Sequence, residues 1–399
     1  MTEEASEAGH RSVPAAEEDT AGATRGGPLA GLRVIEMAGI GPAPLAGQFL
    51  ADLGAQVTVI DRRSGRTDPA NISMRGKRSV ALNLKHAAGV TAALSLIAEA
   101  DVLIEGFRPG VMERMGLGPE PCAAANPRLI YARMTGWGQD GPLAREAGHD
   151  ITYLALTGVL GAIGPADGPP IPPLNIAADY AGGTMFLLLG ILSALFERQG
   201  SGRGQVVDAA MVDGVPALMA LMHGLRAQGI WQDGREANLL DGGAPFYRCY
   251  QTADGKAIAV GALEPQFYAE FLARAGLPRE HLASQMDRAT WPARREEYAA
   301  HFATRSRDEW AAVFAGSDAC VAPVLDWEET RTHPHMAARS VYATRDGVAQ
   351  AQPAPRFGRT PPPAPGPVAA PRGATEATLR AAGYSPEAIA ELRAQGVLT

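Results

Sequence analysis

Three side chains in this 399-residue chain are of types that carry protons, and each stands in a distinctive context. His149 lies in REAGHDITYLALTG, with Asp150 directly after it. Asp179 lies in PPLNIAADYAGG, at the glycine-rich entry to the apolar run MFLLLGILSAL, and Asn175 stands one helical turn before it. Glu264 follows AIAVGAL and precedes Pro265. A histidine titrates near neutral pH, and a carboxyl group drawn into an apolar setting has its pKa raised toward that range. Such a pair suits general acid–base chemistry. A turn of helix would hold the Asn175 amide beside the Asp179 carboxylate. Taken singly, each residue has a stronger structural reading: His149 as a helix-entry residue, Asp179 as an N-cap, Glu264 as an acid at a helix start.

A second group is basic. Arg62, Arg63, Arg66, Arg75, Lys77, Arg78, Lys85, Arg108 and Arg114 gather in the first half of a chain whose formal net charge is −7. That local excess predicts a small polyanionic ligand at one edge of a sheet, not a nucleic-acid duplex. The loop GIGPAP after the first apolar strand resembles a dinucleotide-binding turn, with Pro44 where the pattern wants a third glycine. Asp61 ends the next strand, where an acid can meet a ribose hydroxyl, and the arginines that follow favour an additional phosphate. A plain tight turn, stiffened by two prolines, explains the same residues equally well.

These residues need a scaffold, and the apolar periodicity supplies one. LRVIEMA, LAGQFLADLGA and QVTVIDR read as strand, helix and strand, with Gly54 as the helix C-cap. SVALNL, GVTAALSLIAEA, DVLIEGF and RLIYARMTGW continue the alternation, which predicts a parallel sheet with flanking helices. GQVVDAAMVDGVPALMALMHGL reads as a short strand and one long apolar helix. FYRCYQTADGKAIAVGAL has the D-G turn of a hairpin, and two amphipathic helical stretches follow it. The expected fold class is therefore α/β. A large Rossmann-like domain spans 28–224 and a smaller α+β domain 225–330. Residues 331–399 form a Pro-rich linker and helices returning to the large domain, and residues 1–27 a disordered acidic tail.

Composition excludes several classes. The N-terminal stretch lacks the apolar core of an export signal. The run MFLLLGILSAL has about eleven residues against the ~20 needed to span a bilayer, so a buried helix is expected. Cys122, Cys249 and Cys320 lie far apart without a CxxC, which argues against a disulfide framework or a zinc site and leaves three buried thiols. A cytoplasmic, soluble protein with neither a nucleic-acid nor a membrane partner is the expectation.

Together these segments resemble the family III CoA-transferases (CaiB/BaiF type) and, within them, the racemases of α-methylacyl-CoA thioesters. The resemblance runs from Pro28 to about residue 360. It is carried by GLRVIEMAGIGPAPLAGQFLADLGAQVTVIDR, DVLIEGFRPGVMERMGLGP, RLIYARMTGWGQDGPLAREAGHDITY, PPLNIAADYAGGTMFLLLGILSALFERQGSGRGQVVDAAMVDG and LDGGAPFYRCYQTADGKAIAVGALEPQFY.

The resemblance implies coenzyme A bound as the acyl thioester that is the substrate, with no metal and no redox cofactor. Ile40, Arg62, Leu82, Leu103, Gly106, Arg108, Arg114 and Tyr153 match its CoA-contacting positions. His149 matches one acid–base group and Asp179 the other, with Glu264 the partner of the histidine and Asn175 the support of the aspartate. The backbone N–H of Asp150 is the candidate donor to an enolate oxygen. An interlocked homodimer is implied, with each site between one chain's large domain and the other's small one. Two alternatives stay open. In a CoA-transferase, Asp179 would attack the thioester and form an anhydride. A non-catalytic CoA-binding module would leave the acid–base sets without a purpose.

Overall fold

Six short apolar runs become strands: β1 (Arg33–Met37), β2 (Gln56–Asp61), β3 (Arg78–Ala81), β4 (Val102–Glu105), β5 (Ile130–Thr135) and β6 (Gln205–Ala210). In the computed structural model, which describes residues 26–61 and 66–398, they form one sheet of order β3-β2-β1-β4-β5-β6. Every pairing in it is parallel. The acidic tail up to residue 25 and the pair Arg62 and Arg63 lie outside the described residues. Alternate side chains along a strand face opposite ways. Val34, Ile104 and Ile130 accordingly enter one core cluster, and Ile35, Leu103 and Tyr131 the other. The order reverses direction between β1 and β4, and such a reversal opens a crevice at the carboxyl ends of the strands.

Helices α1 (Pro42–Asp52), α2 (Ala87–Ala98), α3 (Val111–Arg114) and α4 (Pro119–Ala125) return the chain between strands. The prolines of GIGPAP open α1 instead of stiffening a turn, because the first helical turn has no use for their missing N–H groups. Gly54 follows the end of α1 with φ of 104°, a left-handed geometry that glycine accepts freely. Helix α5 (Asp150–Leu156) comes after β5. A π-helical segment, Ile176–Thr184, then runs straight into α6 (Met185–Ser201).

That continuity corrects the expectation of an eleven-residue buried helix. Ile176–Ser201 is one helical run of 26 residues, by composition apolar and long enough to cross a membrane. Here it packs on β5, β6 and α1. Leu187, Leu188, Ile191 and Ala194 are buried in that packing, whereas Met185, Leu189, Leu192 and Phe196 are exposed, Phe196 at 77 %. The long helix expected after β6 is instead two, α7 (Met211–Leu218) and α8 (Ala220–Ala227), with Pro216 removing a hydrogen bond just before the break.

The expected hairpin is β7 (Tyr247–Gln251) with β8 (Ala257–Gly261), and β9 (Val321–Pro323) extends it. Helices α9 (Pro265–Ala275), α10 (Trp291–Phe302) and α11 (Arg307–Phe314) cover it. They enclose a separate aromatic core that includes Phe246, Tyr268, Phe271, Tyr298, Phe302 and Trp310. Of the cysteines only Cys122 is buried, and burial pushes its thiol up to about 12. Cys249 and Cys320 are exposed because they sit on the uncovered side and at the edge of the three-stranded sheet. Leu379, Ile389 and Leu392, from the last two helices, join the cluster beneath β1 and β3.

The basic cluster divides on folding. Arg75 is 2 % exposed, paired with Asp52 through two hydrogen bonds of 3.0 and 2.6 Å, and bonded to Gln350 and the carbonyl of Ala351. Lys77 is buried against Glu36 at 2.6 Å and the Pro44 carbonyl at 2.8 Å. Both cations are therefore committed to the scaffold and not to a ligand. Replacing Arg75 with methionine strands the buried Asp52 carboxylate and unties the Tyr342–Arg345/Val348–Ala351 hairpin. The expected cost is about 3–5 kcal/mol. A lowered denaturant midpoint and faster proteolysis near residue 350 would register it.

Candidate active site

Asp179 stands in the first turn of the π-helical segment. Such widened turns are rare, and they concentrate at functional sites. Further along the segment α7 approaches so closely that a Cβ on Gly214 would overlap the Gly182 backbone. The Asn175 amide donates to Asp179 Oδ2 at 3.2 Å, as the four-residue spacing predicts. From the other side comes Asp150, the first residue of α5 and only 6 % exposed. Its Oδ2 accepts from the N–H groups of Ala178 and Asp179, both at 2.8 Å.

His149 is the N-cap of α5, with extended backbone (φ −139°, ψ 167°). Its N–H donates to Thr152 Oγ1 at 2.9 Å, and that hydroxyl donates back to the His149 carbonyl at 2.7 Å. The helix-entry reading is thus correct, and it leaves the imidazole exposed and available. Burial raises the Asp179 carboxyl above the ordinary range. The Asn175 hydrogen bond opposes that rise, the Asp150 charge adds to it, and the neighbouring His149 opposes it. Two proton-carrying side chains from different elements therefore converge.

One turn beyond His149, the buried Tyr153 ring lies edge-on to Trp137 at 4.7 Å between centroids. A Cβ on either Gly136 or Gly148 would overlap this ring, so the glycine before His149 is required by packing. Burial and the nearby Asp179 push the Tyr153 phenol up, with Arg108 opposing them.

A cavity of about 1310 Å³ opens at the carboxyl ends of β1, β2 and β4, where the strand order reverses. Ile40, Gly41, Asp61, Leu82, Asn83, Lys85, Phe107, Val111, Met115 and Tyr180 are among its lining residues. Tyr180 follows Asp179, and a Cβ on Gly41 would lie 3.7 Å from Asp179 Oδ2, so this carboxylate lies next to two of the residues that line the cavity. Ile40, 85 % exposed, stands at the rim. Gly106 and Arg108 are exposed on the loop after β4, and Arg114 is exposed at the end of α3.

Other sequence candidates sit elsewhere. Leu103 is wholly buried in β4, paired with Ile35 and Tyr131, on the core side of the sheet. Arg62 falls outside the described residues. Glu264 is the exposed N-cap of α9, and among the described residues no hydrogen bond joins its carboxylate to His149.

Two features escaped the sequence reading. One is the side-chain role of Asp150. The other is a brace beneath the loop that carries Arg108. Arg133 donates to Glu105 at 2.9 Å and pairs with Glu113 at 2.9 Å, while Glu105 accepts from the Phe107 N–H at 2.8 Å. A charged residue inside each of the apolar strands VLIE and IYARMT is the available signal, since buried charges are paired.

Residues 29–374 match the model of CoA-transferase family III. The α-methylacyl-CoA racemase of Mus musculus is 49 % identical over 84 % of this chain and 87 % of its own length. That of Homo sapiens is 46 % identical over 80 % and 83 %. Among solved structures, a CAIB/BAIF family protein from Brucella suis superposes with a TM-score of 0.76 at 25 % identity, covering 90 % of this chain and all of that one. The six-stranded parallel sheet with its crevice at the strand-order reversal, the Asp179 site beside it and these matches lead to one conclusion: the chain belongs to CoA-transferase family III.

Proposed function

We propose that this protein inverts the α-carbon of 2-methyl-branched acyl-CoA thioesters by passing protons between His149 and Asp179. The convergence of these two acid–base groups beside the cavity carries the reading, and the identity to α-methylacyl-CoA racemases supports it. Inversion requires an α-proton to leave one face while another arrives on the opposite face. A lone base would return its proton to the face it came from. One of the pair removes the proton, the other delivers one, and the roles exchange for the other enantiomer. A raised carboxyl pKa lets Asp179 act as acid as well as base. Asn175 restrains the carboxylate and opposes too large a rise.

The electrons left on the α-carbon spread to the thioester oxygen, which needs a fixed donor. The N–H of Asp150 is the first of α5 and has no acceptor among the described residues. It serves that oxygen in this proposal. The cavity takes the nucleotide end of the substrate, with Lys85, Arg108 and Arg114 supplying charge for its phosphates.

We further propose an interlocked homodimer. Two observations support it: the apolar face of α6 left exposed, and the exposed Glu264, which among the described residues makes no hydrogen bond to His149. In the dimer, Glu264 of the partner subunit orients the imidazole.

Incubating one enantiomer of a 2-methylacyl-CoA in D2O tests the activity. The expected result is α-deuteration with loss of optical purity and no need for a second acid. Transfer of CoA to an added carboxylate with the α-centre intact would instead establish the Asp179 anhydride route. Packing around Tyr153 gives a second test. A Gly148→Ala chain must move either the ring or the His149 turn, and a displacement on the order of 1 Å costs about 100-fold. A comparable fall in the inversion rate, with the fold retained by circular dichroism, is the expected outcome.

A further inference from the structure

Helix α5 and the π-helical segment pack together. Among the described residues, the hydrogen bonds between them all come from one side chain. Asp150 Oδ2 accepts from Ala178 and Asp179, whose N–H groups sit in the first turn of the segment and have no carbonyl of their own helix to meet. The other oxygen, Oδ1, is buried with no hydrogen-bond partner among the described residues. A buried carboxylate oxygen without a partner is costly, and a serine or asparagine would cap a helix start as well. Capping alone therefore does not call for a carboxylate at this position.

From this geometry we infer that Asp150 is a positioning residue: its carboxylate ties the Asp179 turn to the His149 turn and so fixes the distance between the two bases. The inference rests on the racemase reading above for its functional meaning, but the tie itself does not. One residue then serves both halves of the site. Its backbone N–H faces the substrate oxygen, and its side chain holds the second base. The charge has an additional effect, since it adds to the rise in the Asp179 carboxyl pKa that burial causes. The other charged or titratable groups acting at this point are His149 on Asp179, and Arg108 on the adjoining Tyr153.

Asp150→Ala and Asp150→Asn test this with three readouts: amide hydrogen exchange at Ala178 and Asp179, steady-state inversion kinetics, and the pH–rate profile. In the alanine variant, protection of the two amides is expected to fall at least about tenfold. Its kcat should fall about 100-fold with KM little changed, since a misplaced base harms the chemical step. The asparagine variant keeps an oxygen acceptor and loses the charge. Removing a like charge lowers the Asp179 pKa, so with the enantiomer whose α-proton Asp179 removes, the acid limb of its profile should move to lower pH. A role in folding alone would not shift that limb.

Unchanged amide protection in Asp150→Ala, or an unmoved acid limb in Asp150→Asn, overturns the inference. If the alanine variant does not fold, the asparagine profile decides. A wild-type enzyme that inverts nothing, alongside an alanine variant that loses protection, would support the tie and defeat the racemase reading.

Discussion

Asp179→Asn is expected to slow inversion by about 10³-fold with KM changed less than about threefold. Asparagine keeps the shape and can still meet the Asn175 amide, but it cannot accept or deliver a proton at this point. His149→Gln should cost a similar factor, because inversion needs a carrier on both faces. The double variant should be little worse than either single one, as groups that act in one step lose their effect together. Steady-state polarimetry on each variant measures all three. Equal losses in kcat, with binding preserved, would separate this account from damage to the cavity. The pH profile adds a signed test. For the enantiomer whose α-proton Asp179 removes, its raised pKa should place the acid limb above the ordinary carboxylate range, with rate lost as pH falls through it and the base becomes protonated.

The second large effect concerns the partner. Glu264→Ala should weaken inversion strongly if the partner subunit's carboxylate orients His149. Co-expressing His149→Gln chains with Glu264→Ala chains, under two affinity tags, yields mixed dimers. Each mixed dimer would contain one site with both substitutions and one with neither. Activity should therefore return to about half of wild type in the doubly tagged fraction, from two parents that are each nearly inactive. No recovery would place Glu264 and His149 in the same site of one chain, or in no common site.

The parallel sheet was legible because strands covered on both faces must be apolar runs, and β1, β2, β4 and β5 are. The Asn175–Asp179 contact was legible because helical spacing fixes it within one turn. Less of the rest could be read. Whether Arg75 and Lys77 face a ligand or a buried carboxylate depends on Asp52 and Glu36, which fold against them from other elements. The close packing of the widened segment on α7 depends on Gly182 meeting Gly214, residues far apart in the sequence. The full extent of the helical run into α6 is not legible, because a π-helical lead-in has no sequence pattern of its own. Leu103 matched a family position, yet the alternation along β4 turns it into the core. The position of Asp150 after His149 points to its backbone N–H, while its carboxylate acts across a gap of 28 residues that no local pattern shows.

In the proposed mechanism, His149 and Asp179 each serve one face of the α-carbon. Deuterium incorporation from each enantiomer separately, in His149→Gln and in Asp179→Asn, measures that most directly. Each variant is expected to exchange the α-proton of one enantiomer without inverting it, and the two variants should retain opposite enantiomers. A variant lacking either side chain that still inverts both enantiomers at the wild-type rate would contradict the account.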